Sequence, residues 1–594
     1  MKKIIYLVAI VILFPVLSGC EDFLDTKSFT TKDSQSFPLT EEDANQMVTG
    51  VYNSLTRTTN SVSSSYFFIS ELACDDRFGG GGYNDKFSQA IGHLMRTDLN
   101  NLNGCWTSHY TGIARANAAL TALEENLKEG TVRDQKIGEV KVLRAFFYFE
   151  LVQLLGDIPL MKAAPENVAE AKTSPPQVSQ EEIFKFIATD LWEAYTSMPV
   201  ERYTVRPSGT VTKWAAAGLL ARVYLFYTGF YQKETLPYEG GQITGTQVAE
   251  ALKNCIDNSG HSLVPDFRSL WAYTNTASKK DYPYAKNLPD WVSDGNNPEH
   301  VFVKKMVPHA SWQSNPQCNE YSLFFAIRNG AGKTDYQTLF PMGQGWGMGP
   351  VNTNLWTEWE TDEPDDLRRK GSIWNYQEET YYKDGVETKV DYSRQWGADM
   401  MVEETGLWQK KVVAIRAYGK GAGGADLWNS FTSSTDYFNL PGDDFQHGHG
   451  TDLIYIRYAD ILLMHSEITK TVDGINAVRN RAKLSPIGAY SLEALQKERR
   501  YELAFEGVRW GDIRRWHIAE EALEKKYGVP VYIEEKLTVM KYQSSGGAAK
   551  RYRDTNGFFM IPQTQIDLAG GSEYLKQNAG WGTSEDAFVA WNDN

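Results

Sequence analysis

Carboxylates, glycines and histidines that could support catalysis fall in four places. Glu498, Glu502 and Glu506 stand four residues apart, with Arg499, Arg500, Arg509, Arg514 and Arg515 beside them. Two carboxylates on one helix face could act as an acid and a base. The same spacing builds a ladder of helix salt bridges, and that structural reading is the expected one. No positioned base, nucleophile or metal ligand accompanies them. Gly79 to Gly82 could cradle phosphate, but the run lacks the lysine and Ser/Thr of a P-loop and follows no clear strand. Asp75, Asp76 and Asp85 flank these glycines without the spacing of a calcium loop. His447 and His449 form a pair with no third ligand in view. Asp365–Asp366 and Asp443–Asp444 are adjacent acids, which says nothing of the 5–10 Å separation, roughly, that a glycosidase pair needs. Neither G-x-S-x-G nor H-E-x-x-H occurs. The expectation is no catalytic residue, no metal site and no cofactor, with structural calcium unsupported by any motif.

Aromatic residues point instead to binding. Ten of the 17 tryptophans lie in residues 259–450, where helical periodicity fades and glycine, proline and asparagine rise. An indole in a loop offers a flat apolar face while its N–H finds a partner. Such faces suit the C–H surfaces of sugar rings. Most of these tryptophans, Trp271, Trp356, Trp359 and Trp408 among them, are expected to be structural, since buried aromatics are common. The least constrained stretch, 308–350, holds Trp312, Tyr321, Tyr336 and Trp346, and these are the candidate ligand aromatics. In the glycine-rich loop 71–87, Arg77, Tyr83 and Asn84 could supply a hydrogen-bonding fork, a ring and an amide.

Helices must position these loops. Thr40 caps EEDANQMVTGVYNSL; further helices begin near Trp106, at GEVKVLRAFF, at EEIFKFIATDL and at TVTKWAAAGLL. Val140, Leu143, Phe147, Leu151 and Leu154 form one side of the third, which Gly156 and Pro159 stop. NPEHVFVKKM reads as a strand alternating Val301 and Val303 against Phe302. From Asp452 the pattern returns to short-looped helices. Asp473 and Ser491 serve as N-caps, and the last long helix buries Tyr501, Ala504, Phe505 and Val508.

The 594 residues are 42% hydrophobic, enough for a large core, and the net charge of −15 argues against nucleic acid. Residues 1–19 form a signal peptide: Lys2 and Lys3 precede an apolar run too short to span comfortably. Leu17-Ser18-Gly19-Cys20 resembles a bacterial lipobox, so Cys20 is the expected lipidated N-terminus. Residues 20–40 read as a tether. Cys74, Cys105, Cys255 and Cys318 match no zinc spacing, and disulfides and free thiols remain equally open.

IRYADILLMHSE, AVRNRA and ERRYELAFEGVRWGDIRRW, in that order, resemble the C-terminal signature of the SusD-like (RagB/SusD) family. RANAAL, LRAFFYFELVQLLGDIPL, TKWAAAGLLARVYLF and GFFMIPQTQIDLAGG resemble its other motifs in family order. HSEI departs from the usual alanine-rich continuation, the loop before DGINAVRNRA is very short, and Gln565 stands where an acid is usual. The resemblance implies a mainly α fold, a right-handed superhelix of degenerate tetratricopeptide-like helix pairs with a large loop-rich region and a few short strands. It divides into a helical part at 41–258, the aromatic loop-rich region at 259–450 and a helical part at 451–594, one compact unit. It also implies an outer-membrane lipoprotein facing the cell exterior, which binds a glycan and passes it to a SusC-like TonB-dependent transporter. The competing readings are a helical-repeat adaptor or peptide binder and, further off, a glycoside hydrolase.

Overall fold

The computed structural model describes residues 37–591 except 60, 166, 168–174, 205–208, 308–317, 329–340, 343–344, 391–400, 421–425, 431–448 and 535. Helix α1 (Glu41–Arg57) starts at a reciprocal cap: the Thr40 hydroxyl accepts from Asp43 N–H, and the Asp43 carboxylate accepts from Thr40 N–H, both at 3.2 Å. After α2 (Tyr66–Ala73) and α3 (Lys86–Gly92) come the long helices α4 (Asn103–Asn126) and α5 (Thr131–Leu155). The sequence suggests one apolar side for α5, but every residue from Val142 to Leu155 is buried. The reason is its central place: α1, α4, α6 (Gln180–Ser197) and α7 (Lys213–Phe230) all pack on it. Its one deeply placed cation, Arg144, forks onto Asp190 of α6 at 2.7–2.8 Å. Gly156, at φ +70°, ends it as expected.

Helix α8 (Gly245–Asn258) leads into the loop-rich region. Strand β1 (His300–Lys304) there pairs antiparallel with β2 (Leu453–Arg457), some 150 positions later, and the ribbon packs on α7. The expected alternation fails, since Val301 and Phe302 are both buried and Val303 is half-buried. Strand β2 bulges at Tyr455, between Ile454 and Ile456, and the register shifts again before Arg457. Trp271, Trp356, Trp359 and Trp408 are core residues. Trp359 lies in α9 (Thr353–Asp362), stacks on Tyr501 at 4.6 Å and donates to Asp366, the cap of α10 (Leu367–Ser372).

The C-terminal helices α11 (Tyr458–Thr469), α12 (Asp473–Arg481), α13 (Leu492–Glu502), α14 (Arg509–Arg515) and α15 (Ala519–Glu524) close back onto the first half. Helix α11 packs on α7 and α8. It approaches so closely that a Cβ on Gly218 of α7 would stand 2.9 Å from Ile461 Cδ1. Ser491 caps α13, accepting from Ala494 N–H. Asp473 instead forms the first turn of α12, and Val472 takes the cap. Helix α13 ends at Glu502, short of the expected Val508, because Phe505 and Gly507 take left-handed φ values of +68° and +75°.

That turn changes what the three glutamates do. They form no ladder along one helix. Glu498 and Glu502 meet Arg368 at 2.5 and 2.9 Å; Glu502 also takes Arg457 and Arg481. Glu506 takes Arg457 and Lys411, each at 2.7 Å. The flanking arginines pair elsewhere: Arg499 with Asp460 and Asp512, Arg500 and Arg509 with Asp75 and Asp76, Arg515 with Glu467. Arg514 donates to the Gln153 carbonyl among aromatic rings. The structural reading holds, but the pairing is tertiary and fully buried. Burial raises the Glu502 carboxyl, yet Arg481, Arg457 and Arg368 together hold it well below the usual range. Cys74, Cys105, Cys255 and Cys318 are buried free thiols.

Candidate functional site

The loop after α2 is stitched into the chain rather than presented to solvent. Asp75 takes a bidentate pair from Arg509 at 2.7–2.8 Å, and Asp76 takes Arg500 at 2.6 and 2.9 Å. These acids are spent on guanidinium groups, which removes them as calcium ligands. Arg77 is corrected outright. It is wholly buried, donates to Glu71 at 2.6 Å, the Gly349 carbonyl at 2.6 Å and Gln409 at 2.5 Å, and lies between the Phe325 and Phe505 rings at 4.4 Å from each. Three of its N–H groups and both faces are engaged within the chain, so it braces the loop from beneath and is not presented to solvent.

The glycines serve the same stitching. A Cβ at Gly79 would come within 2.3 Å of the Gln89 backbone, and Gly80, at φ +64°, would meet Pro350. Gly81 N–H donates to the Gly347 carbonyl at 2.7 Å, Gly349 N–H to Gly79 at 2.9 Å, and Val402 N–H to Gly81 at 2.9 Å. The loop is thus zipped to the end of the 308–350 stretch and to residues 401–404. Gly79 and Gly80 N–H point at an anion from this chain: Glu403 accepts them at 2.8 and 3.1 Å, with Trp591 Nε1 at 2.9 Å and His93 Nε2 at 3.3 Å. Burial raises the Glu403 carboxyl; the His93 ring and these N–H donors more than offset it, and the group stays below its ordinary value. A phosphate has no place there.

Above this floor the two loops that stand out in the sequence share a rim. Tyr83 is half-buried and its hydroxyl donates to Glu534 at 3.0 Å; Asn84 is exposed. Asp85 accepts from Gly82 N–H at 2.8 Å and from Arg328 at 2.7 Å. Arg328 also donates to the Trp346 carbonyl at 3.2 Å. Trp346 N–H donates to Leu323, and the half-buried indole leans on Phe324 at 5.2 Å. The Asp85–Arg328 salt bridge therefore ties the loop that carries Tyr83 and Asn84 to the segment that carries Trp346. Tyr321 is not among them: it is fully buried, packs on Phe67 at 4.8 Å and shares a hydrogen bond with Ser65. An apolar YSLFFAI run buries its own tyrosine, which the isolated residue type does not reveal. Trp312 and Tyr336 lie outside the described residues. Arg328 and Glu534 complete the rim without a motif; the one signal for Arg328 was a charge ending that apolar run.

Two open clefts lie elsewhere. One of about 1320 Å³ is lined by Glu358, Asp362, Lys497, Arg500 and Lys525, already cross-paired, with Tyr501 stacked on Trp359. Another of about 1240 Å³ carries Tyr52, whose hydroxyl donates to Glu139. Asp366 is consumed by Arg368 and Trp359, and Asp443 and Asp444 lie outside the described residues. Among the described residues no helix is long and apolar enough to cross a membrane.

Comparison with known proteins accounts for most of the chain. Residues 22–225 match the family described as starch-binding associating with outer membrane, and residues 334–581 match the SusD family. A SusD-like protein of Bacteroides ovatus is 22% identical over 84% of this chain and 83% of its own. SusD-like protein P2 of Formosa agariphila is 24% identical over 98% and 100%. Among solved structures, surface glycan-binding protein A from Bacteroides fluxus superposes with a TM-score of 0.66, at 22% identity over 92% of this chain and 100% of that one. A laminarin-binding SusD-like protein superposes at 0.64, with 21% identity over 91% and 99%. At these identities the superpositions establish the fold, mainly α with tetratricopeptide-like helix pairs. Motif order, the two family matches and the fold agree: this chain belongs to the SusD-like family.

Proposed function

We propose that this protein is a surface lipoprotein that captures a glycan and delivers it to a SusC-like TonB-dependent transporter, breaking no bond. The observation that carries the reading is the rim: a half-buried tyrosine, an exposed amide, a partly exposed arginine and a half-buried indole sit on two loops locked to one floor. Stacking rings beside amide and guanidinium donors match the alternating C–H faces and hydroxyls of a sugar chain. Laminarin-binding and laminarihexaose-bound structures of this fold support that ligand class. Cys20 supplies the anchor in this reading; it lies outside the described residues.

The test is a glycan array followed by affinity measurement on the ligand found, with Trp346→Ala and Tyr83→Ala. Each loses about 1–3 kcal/mol, roughly tenfold or more, while the melting temperature stays near that of the parent. Unchanged affinity in both variants moves the site elsewhere. Release of products from the bound glycan, lost on changing one acid, converts the reading to a hydrolase. Cys20→Ala is expected to free the protein from outer membranes; retention without the transporter rejects the anchor.

A further inference from the structure

Asp294, His300 and Asp452 converge where the loop-rich region meets the β1–β2 ribbon. One ligand atom from each lies within 4.8 Å of the others, so a small inward shift of the side chains brings all three to metal-bond distance of a shared centre. The three come from a 3-10 turn (Asp294–Asn296), the first residue of β1 and the residue before β2. The Asp452 backbone N–H donates to Asp294 Oδ2 at 2.9 Å, which ties the turn at 294 to the start of β2. His300 is the anomaly. Both ring nitrogens are shielded from water and neither has a hydrogen-bond partner of good geometry, the Asp294 backbone offering only a weak attraction. A buried imidazole normally uses at least one nitrogen. The cleft beside it, about 550 Å³, is also lined by Tyr203, His261 and Lys305 and opens to solvent.

We propose that Asp294, His300 and Asp452 bind a divalent transition-metal cation of the zinc class, with water from the cleft completing the shell. One imidazole and two carboxylates suit zinc, cobalt or manganese better than calcium, which avoids nitrogen. The nearby groups that can carry positive charge are Lys305, His261 and Arg457. Lys305 pairs with Asp452 at 2.5 Å, while Arg457 is held by Glu299, Glu502 and Glu506. Lys305 is 28% exposed and can swing out, so it stands in for the cation when metal is absent. A bound ion would pin the loop at 294 to the ribbon, stabilising the entry to the region that carries the rim.

The experiment uses the full chain stripped with chelator. Zinc titration by calorimetry is expected to give one site per chain, and cobalt to give a visible absorption band of low-symmetry nitrogen–oxygen coordination. His300→Gln and Asp294→Asn are expected to abolish both signals; circular dichroism confirms that they fold. Lys305→Ala is expected to tighten zinc binding about tenfold by removing the competing cation. Absence of stoichiometric binding, or binding that survives both ligand variants, overturns the site. So does binding that Lys305→Ala leaves unchanged.

Discussion

Arg77 and Arg328 meet the same loop junction from below and from above, and they do different work. Below, Arg77 has no exposure, three side-chain and carbonyl acceptors and a phenylalanine on each face. Above, Arg328 is about a quarter exposed and bridges Asp85 to the Trp346 carbonyl. The floor continues downward through Phe505 to Glu502, Glu506 and Arg457, and every charge there is matched. The rim keeps a ring, an amide and an indole partly in water. Residue type does not separate the two layers. What separates them is how completely each side chain is used within the chain.

The largest break to this contrast comes from the floor. Glu502→Ala leaves Arg457, Arg481 and Arg368 short of a buried carboxylate, and a loss of at least about 3–5 kcal/mol is expected. Denaturant unfolding measures it; a loss under about 1 kcal/mol would show that the knot is loosely built. Arg77→Ala follows at about 3–5 kcal/mol, because Glu71 is left buried without its cation. If that variant melts normally and loses only glycan affinity, floor and rim have been assigned the wrong way round.

Acid should dissolve the floor next. Burial raises the Asp460 carboxyl, but Arg222 and Arg499 outweigh it and hold the group at about 2. A folded-state value below the unfolded one, about 3.9, contributes stability that is full above about pH 4 and is lost as pH falls toward 2. Lowering this carboxyl from about 3.9 to about 2 corresponds to about 2–3 kcal/mol. Glu502 is displaced in the same direction. Melting temperatures between pH 5 and pH 2 should fall steeply. In Asp460→Asn the slope should be shallower, and an unchanged slope would remove Asp460 from this account.

The helical scaffold was readable because its signals are local. Thr40 and Ser491 announce their helices through residues three positions away, and Gly156 ends α5 within one turn. The partners of Glu498, Glu502 and Glu506 were not readable, since Arg368, Arg457 and Lys411 come from segments 45–134 positions distant. A left-handed Phe505 has no sequence mark either. At the candidate site, composition singled out the two loops, but their members could not be sorted. Tyr321 and Trp346 are both aromatics in loop-rich sequence, and only packing on Phe67 and Ser65 takes the first out of reach.

The smallest effect sharpens the rim itself. Tyr83 offers a ring and a hydroxyl, and the hydroxyl is engaged with Glu534 on the hairpin Pro530–Ile533 and Lys536–Val539. Tyr83→Phe keeps the ring and releases that carboxylate into solvent, where it is readily hydrated. The expected cost in stability is about 0.5–1 kcal/mol, the low end for an intramolecular hydrogen bond, as suits one near water. If the ring face is the sugar platform, glycan affinity falls no more than about threefold in Tyr83→Phe and about tenfold or more in Tyr83→Ala. Equal losses in both variants would mean that the hydroxyl, or the loop position it fixes through Glu534, carries the contribution. Glu534→Gln separates those two: it keeps an acceptor for the hydroxyl, so the loop stays in place and affinity should follow the parent. A drop there matching Tyr83→Ala would make the Glu534 charge itself part of the ligand face.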